Sequence, residues 1–240
     1  MRPLVTIIIP FYNCSYVDQA VRSALDQSYS PIEIIVIDDG SVSQQERLTP
    51  YLPYIYYLGK ANGGTATALN HGIRHAKGDY IAWLSSDDIF YREKVNHQVQ
   101  FMRAHNAYIS HTNYNYIDSA THVTKYDVAQ ESQFTSSVEF YRSFLNSNPV
   151  NGCTVMFRRE LFSAIGLFNE GLPYTHDLDM WHRVIQRGVH FPYLNESLTG
   201  YRWHDAMGTV IHQANIKQEY ESTQSRCRGP LLQILSRMNI

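Results

Sequence analysis

Apolar residues arrive in short blocks, each closed by residues that end strands. Val5, Ile7, Ile8 and Ile9 run into Pro10. Ile32, Ile34, Ile35, Val36 and Ile37 run into Asp38-Asp39-Gly40-Ser41. Ile81, Ala82, Trp83 and Leu84 run into Ser85-Ser86-Asp87-Asp88. Blocks this short, bounded by Gly, Pro, Asp or Ser, predict buried strands. Between the second and third, the Gly63-Gly64 turn leads into a helix carrying Ala66, Leu69, Ile73 and Ala76 at helical spacing. Strands alternating with helices predict parallel βαβ units with right-handed crossovers. Ligands of such sheets bind beyond the carboxyl ends of the strands. Pro10, Asp38-Asp39 and Asp87-Asp88 are therefore expected along one edge.

The acidic pairs give that edge its chemistry. Two adjacent carboxylates at the end of a buried strand repel each other and lose hydration, which is costly without a compensating cation. A hard divalent ion with oxygen ligands, Mg²⁺ or Mn²⁺, suits them and commonly bridges to phosphates. The competing reading for Asp87-Asp88 is a cap for a helix beginning near Tyr91. For Asp39 it is a turn cap before Gly40.

The second half is patterned less simply. Ser110-His111-Thr112-Asn113-Tyr114-Asn115-Tyr116 alternates polar and aromatic residues, which predicts an edge or sheet-surface strand. Residues 148–159 read as a polar loop entering a strand. Residues 174–183 open a helix with Leu178, Trp181 and Ile185 on one face. Asp177 and Asp179, two apart, cannot both face one site, and Asp179 has Arg183 at the i, i+4 spacing. A Thr199-Gly200 turn precedes Tyr201-Arg202-Trp203-His204. After Val210 the chain is polar and helical, Gly229-Pro230 predicts a break, and Leu231, Leu232, Ile234, Leu235 and Met238 form an apolar stripe. That stripe packs on the domain, or meets a membrane surface or a second subunit.

Composition narrows the field. A chain of 240 residues with 44% apolar content supports one α/β domain with a real core. A formal charge of −2 gives no reason to expect nucleic acid. Cys14, Cys153 and Cys227 are odd in number and widely spaced, so neither a disulfide scaffold nor a metal knuckle is expected, and a cytoplasmic setting fits. No leader is evident at the start, and no apolar run approaches the roughly twenty residues of a membrane span.

The first ninety or so residues resemble the nucleotide-sugar-binding half of a family-two glycosyltransferase with the GT-A fold, and a looser likeness continues to about Trp203. The matching pieces are Val5-Thr6-Ile7-Ile8-Ile9-Pro10-Phe11-Tyr12-Asn13, Val36-Ile37-Asp38-Asp39-Gly40-Ser41, Asn62-Gly63-Gly64, Leu69-Asn70 and Asp87-Asp88, in that order. The resemblance implies a mostly parallel central sheet flanked by helices, with a small acceptor-side sheet. It divides the chain into a donor half (1–105), an acceptor and catalytic half (106–210) and a helical tail (211–240).

The resemblance also implies roles. Pro10, Tyr12, Asp38, Asp39, Gly64, Asn70, Ser86 and Asp87 would line the nucleotide sugar, a UDP-linked donor, with Asp39 accepting from the base. Arg202 would neutralise phosphate charge. Asp87 would be the main ligand of Mn²⁺ or Mg²⁺, with Asp88 beside it and His204 completing the shell. Asp177 would be the catalytic base of an inverting transfer. Expected partners are a nucleoside-diphosphate sugar and a saccharide or lipid-linked acceptor used in surface-polysaccharide synthesis. A lipid-linked acceptor would make contact with the inner face of the membrane useful. Three positions depart from the family pattern: Ser85 replaces an acid two residues before the metal ligand, Leu69 replaces an arginine, and His176 replaces a glutamate before the base. They keep a non-catalytic sugar-nucleotide or glycan-binding module open. A sugar nucleotidyltransferase is disfavoured because residues 11–15 carry neither glycine nor a basic residue.

Overall fold

The computed structural model describes residues 2–129, 134–204 and 207–238. The first half is β1 (Val5–Phe11), α1 (Val17–Leu25), β2 (Ile32–Asp38), a 3-10 segment (Gln45–Tyr54), β3 (Tyr56–Gly59), α2 (Thr65–His75), β4 (Tyr80–Trp83), β5 (Ile89–Phe90) and α3 (Lys94–Ala104). The second half is β6 (Ile109–Ile117), β7 (Val123–Lys125), α4 (Ser137–Ser143), β8 (Met156–Arg158), α5 (Leu161–Ile165), α6 (His176–Gln186), β9 (Tyr193–Arg202), α7 (Gly208–Ile211) and α8 (Gln213–Met238).

Among the described residues the strands form one sheet in the order β3-β2-β1-β4-β8-β6-β9-β5, with β7 on β6. The first four are parallel, as expected. Their side chains alternate between two cores because both faces are covered. Val5, Ile7, Ile9, Ile34 and Val36 pack with Val17, Ala20 and Val21 of α1. Ile8, Ile35 and Ile37 pack with Ala66, Leu69 and Ile73 of α2. Beyond β4 the pairing turns antiparallel through β8. Ile109 and Ser110 of β6 pair with β8, whereas residues 111–117 pair with β9. β6 therefore links the large sheet to a smaller one of β5, β6, β7 and β9, so a small second sheet is present as expected.

Four local expectations are corrected. Asp87-Asp88 caps no helix: β5 intervenes, and α3 begins at Lys94. β6 is an interior strand rather than an edge, with Ser110, His111, Thr112, Asn113 and Asn115 all buried. Partners from elsewhere make that affordable. Gln98 donates to Ser110, Asn113 accepts from Ala129 N, and Asn115 accepts from Asp127 N. Thr199-Gly200 lies within β9, not in a turn. A Cβ on Gly200 would stand 2.8 Å from Ile89 Cγ1, so the close approach of β5 requires glycine there.

The fourth concerns the tail, where α8 runs unbroken through Pro230. An interior proline costs about 3 kcal/mol. Burial of Leu231 and Leu235, at 1% and 5% exposure, returns about 1.5–3 kcal/mol each. Packing outweighs the local break, and the apolar stripe is spent largely on the domain, although Leu232 and Met238 stay exposed. No helix among the described residues is long and apolar enough to cross a membrane.

Candidate active site

The carboxyl ends of β1, β2 and β4 lie side by side, with Phe11 paired to Asp38 and Leu84 N donating to Ile8 O. Asp38 closes its own turn: Oδ1 accepts from Ser41 N at 2.7 Å, and Oδ2 accepts from the Tyr57 hydroxyl. Asp39 reaches across to the glycine turn. Its carboxylate accepts from Gly63 N at 3.1 Å and Gly64 N at 2.7 Å and holds the Lys60 ammonium, while Asn62 Nδ2 donates to its carbonyl. Gly40 lies at φ +79°, and a Cβ there would sit 2.8 Å from Asn62 N. The turn is thus built by close backbone approach.

The structure sorts the expected nucleotide-side residues. Tyr12 is 53% exposed at the mouth of β1, Pro10 and Gly64 are partly exposed, and Asp38 and Asp39 are buried behind their turns. Asn70 does not face this edge. It is 1% exposed, donates to Phe168 O and Glu170, and accepts from Phe168 N, pinning the 168–170 segment to α2.

The second acidic pair divides in two. Asp88 is 1% exposed; Oδ1 accepts from Arg202 N at 2.8 Å, and the Cys153 thiol lies against the carboxylate. Burial, then the neighbouring Asp87 charge, pushes its pKa well above the carboxylate range. Asp87 is partly open, with Oδ2 3.2 Å from His204 Nε2. The structure thus brings Asp87 and His204 together and turns Asp88 inward. Ser86 is buried beside the Cys14 thiol, and Ser85 Oγ meets Cys153 Sγ at 2.9 Å.

Arg202, expected beside a phosphate, is fully buried and committed to the protein. Nε donates to Asp87 O at 2.7 Å and Nη2 to Gln19 Oε1 at 2.8 Å. Nη1 donates to Asp118 O, and the guanidinium lies 4.3 Å from the Tyr16 ring centroid. It straps the Asp87 backbone to α1 and to the β6–β7 turn.

The donor set tests the expected metal. Among the described residues no three His, Cys, Asp or Glu side chains form a ready cation cage. Asp87 and His204 offer one carboxylate oxygen and one imidazole nitrogen within hydrogen-bonding distance of each other. Those donor types suit Mn²⁺ or Mg²⁺, and the pair would supply only part of the shell such an ion requires.

Asp177 stands in the first turn of α6. Oδ2 accepts from Asn148 Nδ2 at 2.8 Å and Oδ1 from its neighbour Leu178 N at 2.7 Å. Burial raises its pKa, partly offset by the adjacent His176. His176 itself is lowered by burial, and its ring lies 5.6 Å from Trp83, near the Leu172 and Pro173 backbone. Asp179 points elsewhere and ties Arg183 to Arg226 of α8. The start of α6 is capped by Glu219 from α8, which accepts from Tyr174 N and Thr175 N.

One short segment connects both acidic centres. Asn148 orients Asp177, Cys153 lies against Ser85 and Asp88, and Gly152 between them abuts Trp83 at the end of β4. A Cβ on Gly152 would stand 2.1 Å from Trp83 Cζ3. Sequence reasoning missed this junction, as it missed Glu219, Gln19 and the buried Lys94. A glycine in a polar loop carries no local sign of the ring it must clear.

Comparison with known proteins places these features in a family. The profile of Glycosyl transferase family 2 matches residues 6–166, a span that includes both acidic pairs and ends before Asp177. An uncharacterized glycosyltransferase of Rickettsia typhi is 39% identical over 229 residues, covering 93% of this chain and 71% of its own. A putative teichuronic acid biosynthesis glycosyltransferase of Bacillus subtilis is 31% identical, covering 84% and 79%. An Escherichia coli UDP-Glc:alpha-D-GlcNAc-diphosphoundecaprenol beta-1,3-glucosyltransferase is also 31% identical, covering 89% and 85%. Two solved structures share the fold. S. aureus TarS with UDP-GlcNAc has a TM-score of 0.71 at 17% identity, over 97% of this chain and 72% of that one. A Pyrobaculum calidifontis mannosyltransferase with GDP-Man and Mn²⁺ has a TM-score of 0.71 at 18% identity, over 98% and 69%.

Proposed function

Since the chain belongs to glycosyl transferase family 2, we propose that it moves a sugar, with inversion, from a UDP-linked donor to a hydroxyl of a saccharide or lipid-linked acceptor in cell-surface polysaccharide synthesis. The observation that carries the reading is Asp177. Asn148 and Leu178 N orient its carboxylate, burial raises its proton affinity, and the Asn148–Cys153 segment ties it to the end of β4, where Asp87 faces His204. A base needs that combination of fixed geometry and a pKa nearer the working pH.

Asp177 takes the proton of the acceptor hydroxyl as its oxygen bonds to the anomeric carbon. The bond from that carbon to the diphosphate breaks, the electron pair leaves with the nucleoside diphosphate, and a single displacement inverts the centre. Asp87 and His204 would hold a divalent ion, which when bound supplies positive charge for the leaving diphosphate. Asp39 fixes the glycine turn, leaving Tyr12 at the mouth to meet the nucleoside. The UDP-sugar and lipid-linked acceptor named for the E. coli relative, and the UDP-GlcNAc and Mn²⁺ seen with the two structural neighbours, support the donor, acceptor and metal classes.

Calorimetric titration of UDP, with GDP and dTDP as controls, tests this. UDP should bind with Mn²⁺ present, and binding should be lost in EDTA and in Asp87→Ala. Nucleotide affinity indifferent to metal and to Asp87 would sink the donor-site assignment.

A further inference from the structure

The smaller sheet carries its residues in an unusual sense. A half-exposed strand normally turns apolar residues inward and polar ones outward. In the second half of β6, Asn113 and Asn115 are buried, while Tyr114 and Tyr116, alternating with them, are partly exposed. Tyr116 pairs in register with Tyr201 of β9, and Trp203 follows two residues on. The two-residue period puts all four rings on one face. They form a continuous wall, with centroids 5.9 Å apart for Tyr114–Tyr116, 6.0 Å for Tyr114–Tyr201, 5.9 Å for Tyr116–Tyr201 and 5.7 Å for Tyr116–Trp203. Trp203 is 51% exposed, whereas Trp83 and Trp181 are buried at 7% and 0%.

The wall borders the candidate site on one particular side. Along the end of β9, Arg202 and His204 turn toward Asp87 and Tyr16, the diphosphate side. Tyr201 and Trp203 take the opposite face, shared by Thr199, whose hydroxyl reaches Cys153 O. The Tyr114 hydroxyl lies beside Asn151, in the segment that holds Asp177 through Asn148. The Tyr201 hydroxyl lies beside Thr209 of α7 and within electrostatic reach of Asp88 and Asp87. The rings therefore extend from the acidic strand end toward the base, on the face that the diphosphate side leaves free.

We propose that Tyr114, Tyr116, Tyr201 and Trp203 form the platform for the acceptor saccharide, with the exposed face of Trp203 stacked on a pyranose ring. As an acceptor site it rests on the glycosyltransferase reading above. A saccharide is the occupant that fits. Its ring has an apolar C–H face for the indole, and its equatorial hydroxyls meet the polar tips of the tyrosines. A wholly aliphatic occupant would take water from those phenol hydroxyls and offer them no hydrogen bond. Trp203 N donates to Ile117 O at 2.9 Å, which fixes the backbone that carries the indole beside β6.

Chitobiose and methyl N-acetyl-α-D-glucosaminide are suitable probes, titrated into the full chain and followed by saturation-transfer NMR of their ring protons. Both should bind the wild type saturably, and Trp203→Ala should weaken binding about tenfold, as for loss of one aromatic contact. Trp203→Phe should recover part of the loss, and calorimetric UDP affinity should stay unchanged in both variants. Equal saccharide binding by wild type and Trp203→Ala, or no binding of either probe to the wild type, would overturn the platform. Saccharide binding that depends on Trp203 in a chain that binds no nucleotide would uphold the platform and remove the transferase reading.

Discussion

Replacing Arg202 by lysine keeps the positive charge and removes the fork. Arg202 is fully buried and reaches Asp87 O, Asp118 O and Gln19 Oε1, which lie on three different elements. A lysine ammonium is a single point and cannot span them. About two of these bonds should be lost, each charge-assisted and worth about 1.5–3 kcal/mol. The expected loss of about 3–6 kcal/mol agrees with the roughly 3–5 kcal/mol for breaking one partner out of a buried charged arrangement. At about 2–4 °C per kcal/mol for a chain of this size, Arg202→Lys should melt about 10 °C lower, and UDP affinity measured well below that temperature should fall little. Thermal unfolding by circular dichroism and UDP titration at 10 °C decide the matter. A variant that melts within about 2 °C of wild type but loses tenfold or more in UDP affinity would make Arg202 a phosphate ligand and refute the strapping role.

Three other outcomes are expected. Transfer needs Asp177 ionised, and burial raises its pKa, so the acid limb of kcat/KM should lie above the usual carboxylate value of about 3.9; Asp177→Asn should cut transfer about a hundredfold or more and abolish that limb, and an unchanged limb in the variant would exclude Asp177 as the base. Burial lowers the Lys94 pKa to about 7, with Nζ unpartnered over the Phe90 ring; a lowered amine contributes stability above its unfolded value near 10.4 that is lost as pH falls toward the folded one, so Lys94→Met should raise Tm at pH 7 and gain little at pH 10, with the opposite trend counting against it. Gly152→Ala drives a Cβ into Trp83 and should cost about 1–3 kcal/mol as overpacking does; because Asn148 would shift off Asp177, transfer should fall more than UDP affinity, and an unaltered ratio of the two would dissociate the segment from the base.

What was legible in the sequence follows from how each part is covered. The parallel half reads directly because helices bury both faces of β1 and β2, leaving unbroken apolar runs such as Ile7-Ile8-Ile9. The acidic strand ends, the Gly63-Gly64 turn and the start of α6 are local patterns with local causes. β6 was misjudged because the partners of its buried polar residues come from afar: Gln98 lies on α3, and Ala129 follows β7. β5, with two residues, is too short to show a period. Pro230 reads as a stop only until Leu231 and Leu235 are seen in the core. The charge of Arg202 is visible in the sequence, whereas its burial and its bonds to Asp87 O, Asp118 O and Gln19 appear only in the fold.

The deeper limit concerns the acidic pairs themselves. Adjacency in the sequence does not give the two acids of a pair the same surroundings, because each carboxylate meets whatever the fold brings to its own side. At Asp87-Asp88 the division is sharp. Asp87 faces His204 in partial solvent, where a charge is tolerable. Asp88 is enclosed and accepts from the β9 backbone, where a charge is costly. At Asp38-Asp39 both members hold scaffold, one closing its own turn and the other drawing in Gly63 and Gly64. The same two letters therefore pair an open carboxylate with an enclosed one in one place, and two carboxylates engaged by turn donors in the other. The difference comes from what arrives opposite each pair: the end of β9 with His204 at the first, and the glycine turn with Lys60 and Tyr57 at the second.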